Sequence, residues 1–442
     1  MQIQLSDHFN YKKLLTFTLP SILMMIFTSI YGVVDGFFVS NFVGKTPFAA
    51  VNFIYPVIMI LGSCGFMIGS GGCALVSKIL GEGNKEKASK VFSLLIYFSI
   101  LLGLILAIIG FSCVRPLAKL LGAKGTMQDD CVLYGRIIFL ALPAFVLQME
   151  FQSFFIAAEK PKLGLAVTLA AGCTNMLLDG IFVGLFKWGL TGAALATSIS
   201  QVIGGIVPLI YFFKSKKSIL RLTKTQFDKK AILKTCYNGS SELMSNISAS
   251  LVGILYNAQL MKYAGEDGVA AYGVLMYVNM IFIAIFIGYS IGTAPITSYH
   301  YGANNQKELQ NIFKKSIIII GVCSLSMVIL SEVLAKPLSF LFVSYDDELL
   351  SMTLRGFLIF SFSFLFSGLS IFSSSFFTAL NDGLTSAIIS FLRTLIFQIA
   401  SVLVLPLFFQ LDGIWFSIVL AELLSFIVSI FFLFLKKKKY HY

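Results

Sequence analysis

Runs of about twenty predominantly apolar residues follow one another from residue 14 to residue 435, and this feature leaves few possible folds. A run of that length is what an α-helix needs to cross the ~30 Å hydrocarbon core of a bilayer. Within lipid every backbone N–H and C=O must find a partner inside the protein, so such runs fold as a bundle of helices. We read twelve spans, roughly 14–40, 48–77, 91–113, 131–157, 162–186, 190–213, 236–262, 268–299, 316–335, 354–379, 384–408 and 412–435. The seventh, with NGSSELMSNISASLVGILYN at 238–257, is the most polar. Charged residues make up 12% of the chain and hydrophobic ones 57%, with a mean hydropathy of +0.88. Soluble domains carry about 25% charged residues, so the composition is that of a membrane protein. The polar stretch 1–10 leads straight into a full-length span, and no cleavable signal peptide is expected.

The charges between the runs set an orientation. KSKKSILRLTKTQFDKKAILK (214–234) carries eight Lys/Arg against one Asp. Further basic residues occupy alternate loops and both ends: Lys12–Lys13, Lys78, Lys85, Lys87, Lys90, Lys160, Lys162, Lys314–Lys315 and the KKKK at 436–439. The positive-inside rule assigns these loops and both termini to the cytoplasm. The opposite loops are poorer in Lys/Arg or carry acids, as in SYDDE (344–348), with Arg115, Lys119 and Lys124 as a mild exception. The net charge of +12 is therefore a topology signal, and nucleic-acid binding is not expected from basic residues confined to short loops.

The chain also repeats itself. AAVNFIYPVIMILGSCGFMIGSGGCALVSKILGEGNKEKASKVF (49–92) aligns without a gap on 270–313, an offset of 221, with ten identities in 44 positions. Gly44/Gly265, Pro116/Pro337 and Gly192/Gly413 keep that offset, and SFFIAAEKP (153–161) matches SFFTALNDG (375–383) at 222. Six spans return the chain to its starting side, so two such halves insert in the same orientation. Parallel repeats of this kind typify secondary transporters with a site at the interface. The expected fold is thus an all-α membrane protein of twelve transmembrane helices in two pseudo-symmetric six-helix lobes. Residues 1–213 form the first lobe, 214–234 a cytoplasmic linker and 235–442 the second lobe.

A charged side chain at mid-bilayer costs about 2.5–3.5 kcal/mol on insertion scales, so each embedded acid needs a reason. Asp35 lies in span one, Glu150 in span four and Asp179 in span five, where Asn175 precedes it by one helical turn on the same face. Thr197 and Gln201 on span six are neutral polar partners. Two carboxylates brought together cannot both remain ionised cheaply, so one takes a proton or a cation settles between them. Asn and Thr oxygens can complete a shell for a hard cation, which leaves Na⁺ as an alternative to H⁺. Glu242, Glu332 and Glu422 are read as lying near helix ends that reach water, and Arg393 in span eleven is the main embedded cation. Gln148, Glu150, Phe151, Gln201 and Glu242 are candidates for a substrate cavity. Some of the 44 Phe and 14 Met side chains suit hydrophobic cations by packing and cation–π contact.

Other chemistries lack their apparatus. The seven cysteines (64, 73, 113, 131, 173, 236, 323) are scattered in or beside apolar runs without a C-x-x-C pair, and His8, His300 and His441 have no ligand spacing. No Walker A sequence or nucleophile elbow occurs, so no enzyme, metal centre or cofactor is expected.

LPSILMMIFTSIYGVVDGFFVSNFVG, FQSFFIAAEKPKLGLAVTLAAGCTNMLLDGIFV, GLTGAALATSISQ and GIWFSIVLAELLS together make the chain resemble a multidrug and toxic compound extrusion (MATE) transporter over essentially its full length. The resemblance implies two lobes forming a V and export of organic cations by alternating access, driven by H⁺ or Na⁺ entry. It further implies a monomer in the plasma membrane. In the branch with an acidic first lobe, Asp35, Asn175, Asp179 and Thr197 would form the cation site, coupled to bending of span one. A second-lobe site is not implied in full, because span ten carries no acid. A lipid-linked oligosaccharide flippase of the same superfamily is the alternative. It would need a large cationic groove, whereas this interior is biased toward acids.

Overall fold

The computed structural model describes residues 3–215, 218–344 and 346–442, and among these no strand forms. Lys216 and Lys217 of the basic linker and Tyr345 of the SYDDE loop lie outside the described residues. The first six spans are α1 (Tyr11–Phe38), α2 (Lys45–Gly81), α3 (Lys85–Leu121), α4 (Gly125–Ala157), α5 (Pro161–Asp179) and α6 (Gly189–Lys214). A short helix, α7 (Lys229–Asn238), then leads into α8 (Ser240–Gly302), α9 (Gln306–Val343), α10 (Asp347–Phe360), α11 (Ser363–Ala379), α12 (Gly383–Phe391), α13 (Phe397–Val404) and α14 (Pro406–Tyr440).

The second half also makes six spans. At 63 residues α8 is two spans, because Gly265 breaks it with φ 63° and ψ −150°. The pair α10 and α11 bends by 50° and is together long and apolar enough for one span, and α12 continues into α13. Gln410, at φ 50° and ψ −126°, interrupts α14 before its apolar run begins. The polar seventh span is the first limb of α8.

The repeat is visible in the backbone. Left-handed φ angles recur in register: Gly44 with Gly265, Gly83 with Asn304, Glu159 with Asn381, and Gly189 with Gln410. Each pair marks the same inter-helix turn in the two lobes. Asn84 and Asn305, identical across the repeat, both cap the third helix of their lobe through a side-chain oxygen that accepts a backbone N–H.

The lobes meet through glycines. A Cβ on Gly81 would lie 2.0 Å from the Tyr299 carbonyl oxygen, and one on Gly302 would lie 2.1 Å from that of Lys78. Lys78 and Tyr299 are themselves repeat partners, so the contact is reciprocal about the pseudo-twofold axis. Gly71 against Thr235 and Gly239, and Gly292 against Thr18, form a second related set. All lie in the halves of α1, α2 and α8 nearest the end that carries both termini and the linker. At the other end, Gly32, Gly253 and Gly273 have nothing within 4 Å, and Gly36 meets only Phe48 of its own lobe. The lobes therefore converge at one end of the bundle and diverge at the other.

Gly81→Val places a side chain where backbone from the other lobe already lies, and overpacking of this kind costs about 1–3 kcal/mol. The expected result is a lower thermal unfolding midpoint in detergent and a wider spin-label distance between the linker ends of α2 and α8. An unchanged distance and midpoint would show that the close approach is dispensable.

Candidate functional site

In the first lobe, sequence-distant polar groups converge because three helices pack closely there. Gly172 of α5 lies against Phe27 and Tyr31 of α1, where a Cβ would come within 2.5 Å of the Phe27 ring. That approach sets the Asp35 side of α1 opposite the Asp179 side of α5. Gly192 brings α6 against Phe182 just beyond α5. The Thr197 hydroxyl donates to Asp35 Oδ1 at 3.3 Å, and Asn175 Nδ2 donates to Thr197 Oγ1 at 3.5 Å. Asp179 faces Asp35 as well. The four predicted residues thus form one cluster.

Exposure is graded across the cluster. Asp179 is 0% and Asn175 1% exposed, whereas Asp35 and Thr197 are only half-buried. Asn175 Oδ1 and both Asp179 oxygens have no hydrogen-bond donor among the described residues. No Lys or Arg is among the charges that act on either aspartate. Unpaired buried polar atoms are costly, and a set composed only of oxygens can bind a proton or a hard cation.

Both acid-bearing helices loosen where the acids sit. Beyond Phe38, α1 widens into a π-helical turn, Val39–Val43, closed by Gly44 N–H donating to the Val39 carbonyl at 3.2 Å. Directly after Asp179, α5 does the same over Gly180–Leu185. Such turns in α-helices are frequent at functional sites.

Three tyrosines surround Asp35, and sequence reading missed them. Tyr31, Tyr55 and Tyr134 each lie within electrostatic range of its carboxyl, and Tyr134 also faces Thr197. Tyr31 had a signal, one helical turn before Asp35. Tyr55 and Tyr134 had none, since α2 and α4 carry them in from elsewhere in the chain.

The cavity candidates do not gather in one place. Gln148 and Phe151 face the interior of the first lobe, where they line a cavity of about 10 Å³ between α4, α5 and α6 that has room for one water at most. Phe151 stacks on Phe212 at 5.6 Å inside an aromatic cluster that includes Phe155. Gln201, 8% exposed, is also buried in this lobe. Glu150 is fully buried, and its carboxyl faces the Ser99 hydroxyl of α3 instead of the Asp35 cluster. Glu242 belongs to the second lobe, within the field of Arg393.

One expectation is corrected. Glu422 does not reach water: it is 5% exposed, and both of its carboxylate oxygens accept from Arg393 Nε, at 2.9 and 3.1 Å. The pair joins the π-helical turn Leu392–Ile396 to α14. Glu332 accepts the hydroxyl of Ser361.

Two stretches of the chain, residues 20–181 and 243–404, match the MatE family model. The chain is 25% identical over 436 residues to the multidrug export protein MepA of Staphylococcus aureus (strain MSSA476), covering 97% of this chain and 94% of that one. Its fold is similar to a crystal structure of MATE in complex with MaL6, with a TM-score of 0.93, 21% identity and 98% of each chain covered. It is equally similar to an outward-facing conformation of a multidrug resistance MATE family transporter of the MOP superfamily, at a TM-score of 0.92, 22% identity, and 98% and 97% coverage. The match to both repeats, in a fold of twelve spans and two lobes, makes this chain a member of the MatE family.

Proposed function

We propose that the chain is a secondary active exporter that expels small hydrophobic organic cations in exchange for H⁺ or Na⁺. The observation that carries this reading is the Asp35–Thr197–Asn175–Asp179 cluster, two acids and two neutral oxygen groups with no cationic partner among the described residues. Two carboxyl groups in one desolvated site need a proton or a cation between them. The half-buried Asp35 and Thr197 form the entry side of the site, and the sealed Asn175 and Asp179 form its floor. The export function named for MepA supports a drug-like substrate class.

Basic loops at the convergent end support cytoplasmic termini, and the divergent end then opens to the outside. In that arrangement an ion entering from outside reaches Asp35 first. Neutralising the pair removes the repulsion between the facing acids of α1 and α5 and lets the loosened ends of both helices repack. Substrate leaves because the repacked lobe binds it more weakly. By reciprocity, substrate loading from the cytoplasm weakens ion binding. The protein acts as a monomer in the plasma membrane, since each chain carries a complete site.

Efflux of a fluorescent organic cation from proteoliposomes, under separately imposed H⁺ and Na⁺ gradients, tests the reading. One gradient is expected to drive export and the other to have no effect. Export that persists with both gradients collapsed and requires ATP would overturn it.

A further inference from the structure

Outside the interior site, a concentration of unneutralised charge lies where the linker crosses α3. A cleft of about 760 Å³ there is lined by Lys87, Lys90, Lys224, Lys229 and Lys230, with Phe227 beside them. One acid, Asp228, also lines the cleft, and Glu86 lies one helical turn from Lys90. Glu86 is paired with Lys90 at 2.7 Å, and Asp228 Oδ1 accepts the Lys230 and Ala231 N–H groups that begin α7. Among the described residues no acid pairs with Lys87, Lys224, Lys229 or Lys230. Crowding of positive charge extends past the cleft: burial and the neighbouring ammonium groups of Lys78 and Lys87 hold the Lys234 amine below the ordinary lysine value, with Glu82 opposing.

The cleft has a fixed floor. Thr223 N–H donates to Ser93 Oγ at 2.8 Å, Ser93 Oγ donates to the Arg221 carbonyl at 3.3 Å, and Leu222 N–H donates to the Phe212 carbonyl at 3.0 Å. Leu220 is 0% exposed beneath it. The linker is therefore strapped across α3 and α6, and its lysines are presented from a packed backbone.

The face of α3 below the cleft identifies the ligand's other end. Counting from Lys90, helical spacing places Tyr97, Leu101, Leu104 and Ile108 on the same side, and all four are exposed, Ile108 at 67%. Phe227, 78% exposed, adds an apolar group at the rim. A basic pocket opening directly onto a lipid-facing helix surface matches an amphiphile with an anionic head and apolar tails. Free phosphate would have no use for the apolar side. We propose that this cleft binds the phosphate headgroup of an anionic phospholipid, whose acyl chains lie along α3 and whose head ties the inter-lobe linker to the first lobe.

Native mass spectrometry of the full chain, released from detergent after equilibration with phosphatidylglycerol or phosphatidylcholine, tests this. The protein is expected to retain phosphatidylglycerol selectively, and excess inorganic phosphate is expected not to displace it. Each basic residue near an anionic lipid surface strengthens binding roughly fivefold, so the triple variant Lys224→Gln/Lys229→Gln/Lys230→Gln should weaken retention on the order of a hundredfold. Equal retention of the two lipids, displacement by phosphate, or an unaffected triple variant would overturn the proposal. The lipid-selectivity arm uses the unaltered chain and does not depend on how the variant folds.

Discussion

Asp35→Asn and Asp179→Asn are each expected to reduce gradient-driven export by at least about tenfold while leaving the protein folded and monodisperse. Asparagine keeps the size of aspartate but can neither bind a coupling proton nor supply a charge to a cation. The two substitutions act at different depths. At position 35 the amide replaces the half-buried acid that accepts from Thr197. At position 179 it replaces a sealed acid that faces Asp35. Asp179→Asn should therefore be tolerated structurally at least as well as Asp35→Asn, because it removes a buried carboxyl while its amide N–H can still donate to Asp35. Thr197→Val leaves both acids in place and deletes one donor, which is worth about 0.5–1.5 kcal/mol. Its expected effect is a smaller drop than either Asp→Asn change. The measurement is efflux of a fluorescent cation from proteoliposomes under a fixed gradient, with circular dichroism and size exclusion on the same samples. Full activity in both aspartate variants would remove the cluster from the mechanism.

Loss of the second-lobe ion pair should have the largest effect on stability. The side chains of Arg393 and Glu422 are 16% and 7% exposed, and both carboxylate oxygens accept from one guanidinium nitrogen. Arg393→Met strands a buried carboxylate, and breaking such a pair from one side costs about 3–5 kcal/mol. Replacing both partners by apolar groups is often near neutral, so Arg393→Met/Glu422→Leu should recover most of that loss. Glu242 adds to the effect, since its carboxyl also lies in the field of Arg393. Thermal or denaturant unfolding in detergent reads the difference. A single variant as stable as the double would mean that Glu422 finds another partner.

The two predictions draw on opposite kinds of legibility. Asp35, Asn175 and Asp179 stand out in the sequence because an acid inside a twenty-residue apolar run needs an explanation, whatever surrounds it. Asn175 and Asp179 share a helix face by spacing alone. The Arg393–Glu422 pair was not readable in the same way. Its members are 29 residues apart on different helices, and Glu422 reads from sequence as an acid near a helix end that reaches water. The same holds for Tyr55 and Tyr134, which no local pattern ties to Asp35. Gln148 and Phe151 show the converse error. They sit close in sequence to Glu150, yet helical rotation sends them toward α5 and α6 and sends Glu150 toward α3.

By itself the sequence determined the twelve spans, the repeat and the polar residues that a bilayer would not keep without cause, because lipid imposes length, backbone satisfaction and charge cost residue by residue. Tertiary structure alone decided which polar groups meet, which end of the bundle is shut and where the helices loosen. Those outcomes depend on glycine-mediated approaches between segments far apart in the chain, such as Gly81 on Tyr299 and Gly172 on Phe27, and a contact of that kind has no period to read.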